Sequence, residues 1–554
     1  MTPKSVACCA PPRGRLAALS SVAVAPPRLH SSALRSIPQD DARDGRDLGD
    51  TPYRDAMSTF VLRDARIVEL GPGPGHDVPV DVRVQNGRVV EVGLHLDRPA
   101  GVEEYDGHGR WLIPGLWDQH VHLGQWTVSS QRLDLAPVRS PEEATAAVAA
   151  RLVELPDEPV IGWGHRLSRW DRDPTVAELD AIAPETPVIL ISGDGHHAWL
   201  NTTALVALAL PVRDTVVAER EWFAAYARLV TLVGSEQTSP SAYARTLEAA
   251  AGLGVTGIVD FEFSGGVTDW AERFAEGADV LRVRMATYAD GLDEIVGAGL
   301  RTGDVLPGCT DLATMGPLKV ISDGSLNTRT AWCCEPYADG TGSGAPNQTT
   351  EELLDLLKLA NGHDIEVATH AIGDAAVREA LDAYAATGAQ GSIEHAQLVR
   401  RDDVRRLAGL GIRASVQPAH LLDDRDATER VWADRANRCF ALRWMLDEGV
   451  TLVLGSDAPV SPLDPWLAMA AAVHRSGDER EPWHPEQALT PREALAASVD
   501  GQGTVRAGSR ADLVLLDADP LALGPTVEQA ARLRDMPVYA TWVAGRLVHE
   551  ADLR

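Results

Sequence analysis

Eight short apolar segments alternate with stretches of helical pattern across the middle of the chain, and this alternation constrains the fold more than any other feature. An apolar run followed by an Ala-, Leu- and Glu-rich run is typical of a βα unit, and helices are predicted, for example, at residues 350–360 and 374–386. Eight such units predict an α/β fold, a closed (β/α)8 barrel of the TIM type. The predicted strands are residues 111–117, 254–261, 281–288, 316–321, 365–369, 392–394, 412–416 and 451–454.

Strand patterns of a different kind lie on both sides of this region. Residues 82–92 alternate apolar and polar side chains around Asn86-Gly87, which predicts a β-hairpin, and residues 511–517 and 540–548 are further predicted strands. We therefore predict a small composite β-domain, a β-sandwich, from residues 57–110 and 505–554, with the barrel at residues 111–504. The first and second barrel strands are too far apart for one helix, so residues 125–235 are predicted to form an inserted subdomain.

Residues 1–56 differ in composition from the rest of the chain. They are rich in Pro, Ser, Ala and Arg without periodicity, which predicts a disordered extension. The apolar run at residues 16–25 raises the alternative of a signal peptide, but Pro26 and Pro27 follow it at once and no small-residue cleavage site precedes a mature domain. Met57, just before the first strand-like run, is an alternative start to Met1.

The net charge of -29 limits the classes of partner. Such a surface repels phosphate backbones and anionic lipids, so neither nucleic acid nor membrane is an expected partner. The chain lacks an apolar stretch of the ~18 residues that a membrane-spanning helix needs. Its six cysteines match neither a disulfide framework nor a zinc-ribbon spacing, which favours a reduced, cytoplasmic chain. The expected partner is a small-molecule substrate, and assembly into a homo-oligomer stays open.

Metal-ligating residue types lie at the carboxyl ends of several predicted strands, where the active sites of such barrels gather. His120 and His122 follow the first strand two residues apart, so in extended backbone both imidazoles point the same way. His370 and His395 end the fifth and sixth strands, and Asp457 follows the eighth. A single such residue at a strand end is more often a satisfied polar group or a helix cap than a metal ligand. Together they converge on one barrel mouth and predict a metal site.

A lysine lies inside the apolar fourth strand, where an ammonium group is costly to bury unless it is paired or neutralised. Lys319 is one of three lysines in the chain. Reaction of its amine with carbon dioxide would give a carbamate, an anionic ligand able to bridge two metals, whereas a snorkelling or salt-bridged lysine is the alternative. The donor set is nitrogen and oxygen without thiolate, which suits zinc, manganese, iron or another first-row divalent ion. We expect one or two divalent ions, with zinc as the first choice.

Five further residues are weaker candidates, for substrate binding. His196, His197 and Trp199 lie in the inserted region, which either covers the barrel mouth as a lid or simply packs a turn. His420 follows the seventh strand at the mouth. Asp323 follows Lys319 and either supports the carbamate or caps the loop.

These linked motifs resemble the amidohydrolase superfamily, and more narrowly its amidohydrolase-3 group, which includes YtcJ-like proteins and N-substituted formamide deformylases. The resemblance spans roughly residues 58–550. It is carried by the motifs at residues 113–122, 194–201, 319–331, 369–374, 393–397, 415–420 and 454–465. It implies a barrel with a composite β-domain, carboxylation of Lys319, and metal ligation by the residues named above, with Asp457 also handling protons.

The resemblance and the donor set predict a metal-dependent hydrolase that cleaves a non-peptide, amide-type C–N bond of a small molecule. A metal-activated hydroxide attacks the carbonyl, with Asp457 as the proton shuttle and His395 beside it in the catalytic centre. Two alternatives stay open. One is a deaminase, esterase or lactonase on the same scaffold, and the other is a non-catalytic protein of this fold that binds a metal or ligand.

Overall fold

The computed structural model describes residues 59–551, except residues 72–77, 136, 157, 166, 168–169, 193–196, 219–220, 223–224, 226–227, 230–237, 264 and 523–525. The predicted extension and both proposed starts lie outside the described residues. The strands are β1 (Phe60–Ile67), β2 (Val80–Gln85), β3 (Arg88–Gly93), β4 (Glu103–Asp106), β5 (Trp111–Pro114), β6 (Leu116–Val121), β7 (Leu133–Asp134), β8 (Val160–His165), β9 (Val188–Ser192), β10 (His197–Leu200), β11 (Val217–Ala218), β12 (Val255–Asp260), β13 (Arg282–Thr287), β14 (Ala313–Ile321), β15 (Val367–Ala371), β16 (Gly391–His395), β17 (Arg413–Val416), β18 (Leu452–Leu454), β19 (Leu513–Leu516), β20 (Val538–Val543) and β21 (Arg546–Glu550).

The described α-helices follow the same order along the chain. They are α1 (Leu123–Ser130), α2 (Pro141–Glu154), α3 (Val176–Ile182), α4 (Thr202–Ala207), α5 (Pro240–Ala251), α6 (Val267–Ala275), α7 (Leu292–Gly297), α8 (Thr350–Gly362), α9 (Asp374–Thr387), α10 (Arg401–Leu410), α11 (His420–Val431), α12 (Leu442–Asp447), α13 (Pro465–His474), α14 (Pro491–Ala496) and α15 (Val527–Arg534). None of the helices in the described ranges is long and apolar enough to cross a bilayer.

Eight parallel strands form the central barrel, in the spatial order β6-β12-β13-β14-β15-β16-β17-β18. A parallel bridge between Val121 and Ala458 joins the end of β6 to the segment that follows β18, and the His122 amide donates to the Ala458 carbonyl at 2.9 Å. Every residue of β6, β12, β15 and β16 is buried, polar residues included, as expected for barrel strands that are covered on both faces. The predicted TIM-type barrel is confirmed.

The first barrel strand differs from its prediction at residues 111–117. The segment β5 pairs with β1 and β19 in another sheet, and the barrel strand begins only at Leu116. Gly115 lies between the two strands, and a Cβ atom there would overlap the side chain of Thr256, so the chain changes sheets where only glycine fits. As a result, His120 lies within the barrel strand rather than after it, and only His122 lies beyond its end.

Strands from both ends of the described chain share one mixed sheet, in the order β21-β20-β19-β5-β1-β2-β3, with β4 beside β1. The predicted hairpin is formed by β2 and β3, and its turn residues Asn86 and Gly87 have positive φ angles of 52° and 70°, as a two-residue turn requires. This sheet is the composite β-domain of the predicted fold class.

The segment between β6 and β12 builds a separate five-stranded sheet, in the order β11-β10-β9-β8-β7. Its two faces carry their own buried apolar clusters, centred on residues such as Ile189, Ile191 and Leu190. The region therefore folds as an inserted subdomain after the first barrel strand, as expected.

The two barrel helices predicted from the sequence are present as α8 and α9. Thr349 caps α8 by accepting from the Glu352 amide, in a capping box that the sequence carries. Gly388 ends α9 in the left-handed conformation, with φ of 70°. Local end signals in the sequence thus match the observed bounds of these two helices.

Candidate metal centre

The six predicted metal ligands come together at the carboxyl ends of the barrel strands, and each is at most 5% exposed. They are His120 in β6, His122 directly after it, Lys319 in β14, His370 in β15, His395 at the end of β16 and Asp457 after β18. Their burial in one place means that each polar group needs a partner from within the cluster or from a bound group.

His120, His395 and Asp457 form the centre of the cluster. Each offers one ligand atom, and these atoms all lie within 4.8 Å of one another. His122 also reaches this centre, because its Nε2 lies 3.4 Å from Asp457 Oδ1, the same distance as His120 Nε2. Imidazole nitrogens around a carboxylate are a donor set that divalent metals prefer.

Lys319 brings its amine to the same centre. Its Nζ lies 3.1 Å from His120 Nε2 and 4.0 Å from the centroid of the Phe261 ring. The side chain is 2% exposed, so it does not reach solvent as a snorkelling lysine would. The position suits a group that contributes to the cluster, while its carboxylation stays a prediction.

His370 lies at the edge of the centre and is supported by Asp323. The rings of His370 and His395 are 4.5 Å apart in a T-shaped arrangement, and His370 Nε2 lies 3.4 Å from Asp323 Oδ1. Asp323 is fully buried, and its oxygens accept from three backbone amides, those of Ile372 (3.0 Å), Gly373 (2.9 Å) and Trp332 (2.9 Å). Burial raises the pKa of Asp323 to about 6, although His370 and the amides oppose it. In this geometry Asp323 holds the loops after β14 and β15 together, and its contact with substrate stays a prediction.

Glu394 is a residue that the sequence analysis did not assign to the site. Its Oε2 accepts from His120 Nδ1 at 2.6 Å, and its Oε1 accepts from Ser392 Oγ at 2.5 Å. Burial alone would raise its pKa, but the hydrogen bond from His120, together with the charge of Lys319 and the hydrogen bond from Ser392, outweighs burial and lowers the pKa. With Nδ1 of His120 engaged, Nε2 is directed to the cluster. An acid in the buried strand directly before His395 was the available signal.

Two more buried aspartates fix the backbone around the histidines. Asp118 accepts from the amides of His120 (3.0 Å) and Ser456 (2.9 Å), which ties β6 to the loop that carries Asp457. Asp260, at the end of β12, accepts from the amide of Leu123 at 3.1 Å, directly after His122. Burial raises the pKa of both carboxyls to about 6. The sequence carries no separate signal for these contacts, because they join strands that are distant along the chain.

The electrostatics of the centre favour the protonation states that metal ligands need. Burial, together with the charge of Lys319, lowers the pKa of His120, and burial with nearby His370 lowers the pKa of His395 well below its usual value. Burial alone would raise the pKa of Asp457, but the surrounding imidazoles, His120 first, bring it well below its usual range. Neutral imidazoles and an ionised carboxylate are the forms that bind metal.

The residues present fit a divalent cation. Within the described part of the chain, neither ring nitrogen of His395 has a hydrogen-bond partner, although both are buried. Buried polar atoms in proteins are normally satisfied, and leaving one unsatisfied costs roughly 1–3 kcal/mol. A cation bound among these nitrogen and oxygen donors would satisfy His395 at the point where His120 and Asp457 converge.

His420 is the weaker candidate that lies nearest to the centre. Its Nε2 is 3.8 Å from Asp457 Oδ2, and its ring lies 6.0 Å from that of His395. It is the first residue of α11, directly beyond the seventh barrel strand, as the sequence indicated. This position is compatible with a contact to substrate, which stays a prediction.

Of the candidates from the inserted region, Trp199 lies in the core of that subdomain and His197 is half-buried within it. Trp199 is fully buried and its Nε1 donates to the Thr175 carbonyl at 2.9 Å, while the ring of His197 packs against that of His165 at 5.2 Å. These contacts are the local packing that was the alternative to a lid. His196 lies outside the described residues, and a substrate role for the three stays a prediction.

Comparison with known proteins agrees with this geometry. A model of the amidohydrolase family matches residues 103–549. The N-substituted formamide deformylase of Arthrobacter pascens is 27% identical, over 85% of this chain and 94% of that protein. The putative amidohydrolase YtcJ of Bacillus subtilis is 26% identical, over 81% of this chain and 90% of that protein.

A solved structure gives the same answer for the fold. An uncharacterized metal-dependent hydrolase from Pyrococcus horikoshii superposes with a TM-score of 0.67 and 27% identity, covering 84% of this chain and 99% of that one. The resemblance expected from the motifs is confirmed. With its parallel barrel, its buried histidine and aspartate cluster, and a family match over most of its length, this chain belongs to the amidohydrolase family of metal-dependent hydrolases.

Proposed function

We propose that this protein hydrolyses a non-peptide, amide-type C–N bond in a small-molecule substrate. The observation that carries the proposal is the convergence of His120, His395 and Asp457 at the barrel mouth, with ligand atoms within 4.8 Å of one another. The name of one relative, N-substituted formamide deformylase, favours an amide bond over an ester.

The cluster is expected to hold one or two divalent cations, with zinc as the first choice. The ligands would be the imidazoles of His120, His122, His370 and His395 and the carboxylate of Asp457. Lys319, carboxylated on its amine, would add an anionic oxygen. A bound cation supplies Lewis acidity, which polarises a substrate carbonyl and lowers the pKa of water to around 7.

Asp457 is the residue best suited to move the proton that amide hydrolysis requires. An amine leaves from a tetrahedral carbon only when its nitrogen has been protonated, so a nearby group must take a proton from water and return it to nitrogen. Asp457 is ionised, as its lowered pKa indicates, and can accept that proton. His420, 3.8 Å from Asp457 Oδ2, would contact a substrate polar group on the same side.

The proposal is tested by turnover on a substrate panel with controlled metal content. Full-length protein loaded separately with zinc, manganese or iron is assayed on N-substituted formamides, acyl anilides, aryl esters, lactones and aminopurines. We expect hydrolysis of an amide, loss of activity after chelation, and recovery when the metal is returned. A protein that cleaves only esters or lactones, or only releases ammonia, would contradict the amide assignment. A metal-loaded protein that turns over nothing would favour the non-catalytic alternative.

A further inference from the structure

Three aromatic rings lie in a row along one side of the barrel mouth, each just beyond a successive barrel strand. They are His122 after β6, Phe263 after β12 and Tyr288 after β13. The Phe263 ring stacks on His122, with centroids 5.0 Å apart and planes 21° apart. It also stacks on Tyr288, with centroids 5.1 Å apart and planes 29° apart. The row therefore begins at a proposed metal ligand and leads away from it.

Hydrogen bonds from the neighbouring loops hold this row in place. Glu262 accepts from the Phe263 amide at 2.9 Å and, with its other oxygen, from the Gln125 amide at 2.8 Å, which joins the loop after β12 to the first turn of α1. The Tyr288 hydroxyl donates to the Phe261 carbonyl at 2.7 Å. The backbone of Phe263 and the ring of Tyr288 are thus fixed relative to the strands that carry the metal centre.

Phe263 is 45% exposed in spite of these contacts. The other large apolar side chains of similar exposure in the described residues are valines and leucines, for example Val305, which is also 45% exposed. A single exposed apolar residue is ordinary at a protein surface. Phe263 differs from the others because its ring rests directly on the imidazole of a proposed metal ligand, so the exposed part adjoins the place of reaction.

We infer that the row of His122, Phe263 and Tyr288 is an apolar subsite that takes a flat aryl group of the substrate. The inference rests on the proposed function and narrows it to amides that carry an aromatic ring close to the scissile bond. Aromatic groups gain from offset-stacked or edge-to-face contact with such rings. A charged or strongly hydrated group would lose water against Phe263 without a hydrogen bond in return.

The test measures binding of two metal-chelating probes that differ only in the ring, benzohydroxamate and acetohydroxamate. Titration calorimetry is carried out on full-length, metal-loaded wild type, F263A, F263L and V305A. Aromatic contact beyond simple burial is worth enough to predict that wild type binds benzohydroxamate about five- to tenfold more tightly than acetohydroxamate. In F263A this ratio should fall close to one, and in F263L it should be intermediate, because leucine keeps apolar surface but not the aromatic ring.

The controls separate a substrate subsite from a packing role. V305A removes an equally exposed apolar side chain near the amino end of β14, away from the barrel mouth. It should leave the ratio of the two probe affinities unchanged. Metal content of each variant, measured by atomic emission, shows whether Phe263 merely shields His122. Equal affinity of wild type for both probes, or a preference that persists in F263A, would overturn the subsite while leaving the amidase proposal intact. If neither probe binds metal-loaded wild type and no amide is cleaved, the proposed function fails, and the subsite with it.

Discussion

Carboxylates with little exposure to solvent lie near both ends of the barrel, but their partners differ. Near the amino ends of the strands, Asp500 receives both Nη groups of Arg284 at 2.8 Å each and Arg510 at 3.0 Å. At the mouth, the nearest imidazole nitrogens lie 3.4 Å from Asp457, those of His120 and His122.

The carboxylates at the two ends of the barrel have different kinds of partner. Planar guanidinium groups satisfy a carboxylate within the protein through short paired hydrogen bonds, which suits a role in stability. Uncharged imidazoles that lie farther from a carboxylate are poor partners for it, but they are good ligands for a cation. We infer that the residues near the amino ends of the strands stabilise the fold, whereas those at the mouth serve the chemistry. The variants below test this division, beginning with the largest expected effect.

The largest effect is expected from Asp457→Asn at the mouth. The amide keeps the size of the side chain but cannot take a proton, so kcat on the substrate found in the panel should fall by about 10²- to 10⁴-fold. The free energy of unfolding, measured with urea, should change little by comparison. A variant that retains near wild-type kcat would show that proton transfer does not run through Asp457.

Lys319→Arg tests whether the lysine acts through a carbamate. Arginine keeps a positive charge but cannot form the carbamate, so an anionic ligand is lost. Removal of a direct ligand should cost more than the ~10- to 100-fold in metal affinity that is typical of supporting groups. Competition with a chromogenic chelator measures the affinity, and Lys358→Arg, at an exposed helix position, is the matched control. Full metal affinity in the Lys319 variant would contradict the carbamate.

Glu394 sharpens the comparison, because it is a buried carboxylate at the mouth that has a short hydrogen bond. If it orients His120 for the metal, Glu394→Ala should weaken metal binding by about 10- to 100-fold. Glu394→Gln keeps a hydrogen-bond acceptor at the same place and should lose less. Equal losses in the two variants would point to a general packing defect instead of an orienting hydrogen bond.

Arg284→Ala should lower stability and leave activity intact, because it removes a partner of Asp500 near the amino ends of the strands. Losing a paired hydrogen bond to a charged group, with the Asp500 carboxylate left partly buried, should lower the free energy of unfolding by about 1–3 kcal/mol. Metal content and kcat should stay at wild-type values. Arg284→Lys keeps the charge without the paired geometry, so its free energy of unfolding should lie between those of wild type and Arg284→Ala. Metal loss in either variant would break the proposed division between the two ends.

The smallest expected effect is a pH dependence of stability that arises from Asp500, near the amino ends of the strands. Burial would raise the pKa of Asp500, but Arg284 and Arg510 outweigh it and hold the pKa below its ordinary value. A lowered pKa in the folded state stabilises the fold above the unfolded-state value of about 4, and this contribution is lost as pH falls through the folded-state pKa. Asn tolerates the positive φ of 52° at this position, so Asp500→Asn is a clean reference.

Urea unfolding of wild type and of Asp500→Asn gives the measurement for this pH effect. Wild type should be more stable by about 1 kcal/mol at pH 7, and the difference should shrink below pH 4. A difference that stays constant down to pH 3 would show that the ionised carboxylate contributes nothing.

Much of this site could be predicted because short sequence patterns around each residue point to it. His395 ends a buried strand, His370 is next to the end of another, and Lys319 lies inside a third, so residue type and strand pattern together indicate the barrel mouth. Glu394 was overlooked because an acid next to a histidine has many local explanations. Only the 2.6 Å contact with His120, from a strand 274 positions away, shows what it does.

The sequence by itself determined the eight strand segments, the helices between them and the residue types at the strand ends, since periodicity and end signals depend on neighbours along the chain. Tertiary structure alone decided that the first barrel strand begins after Gly115, that the buried side chains share one centre, and that Phe263 stays exposed beside His122. These outcomes depend on closure of the barrel, which brings together residues hundreds of positions apart, and no local pattern encodes such distances.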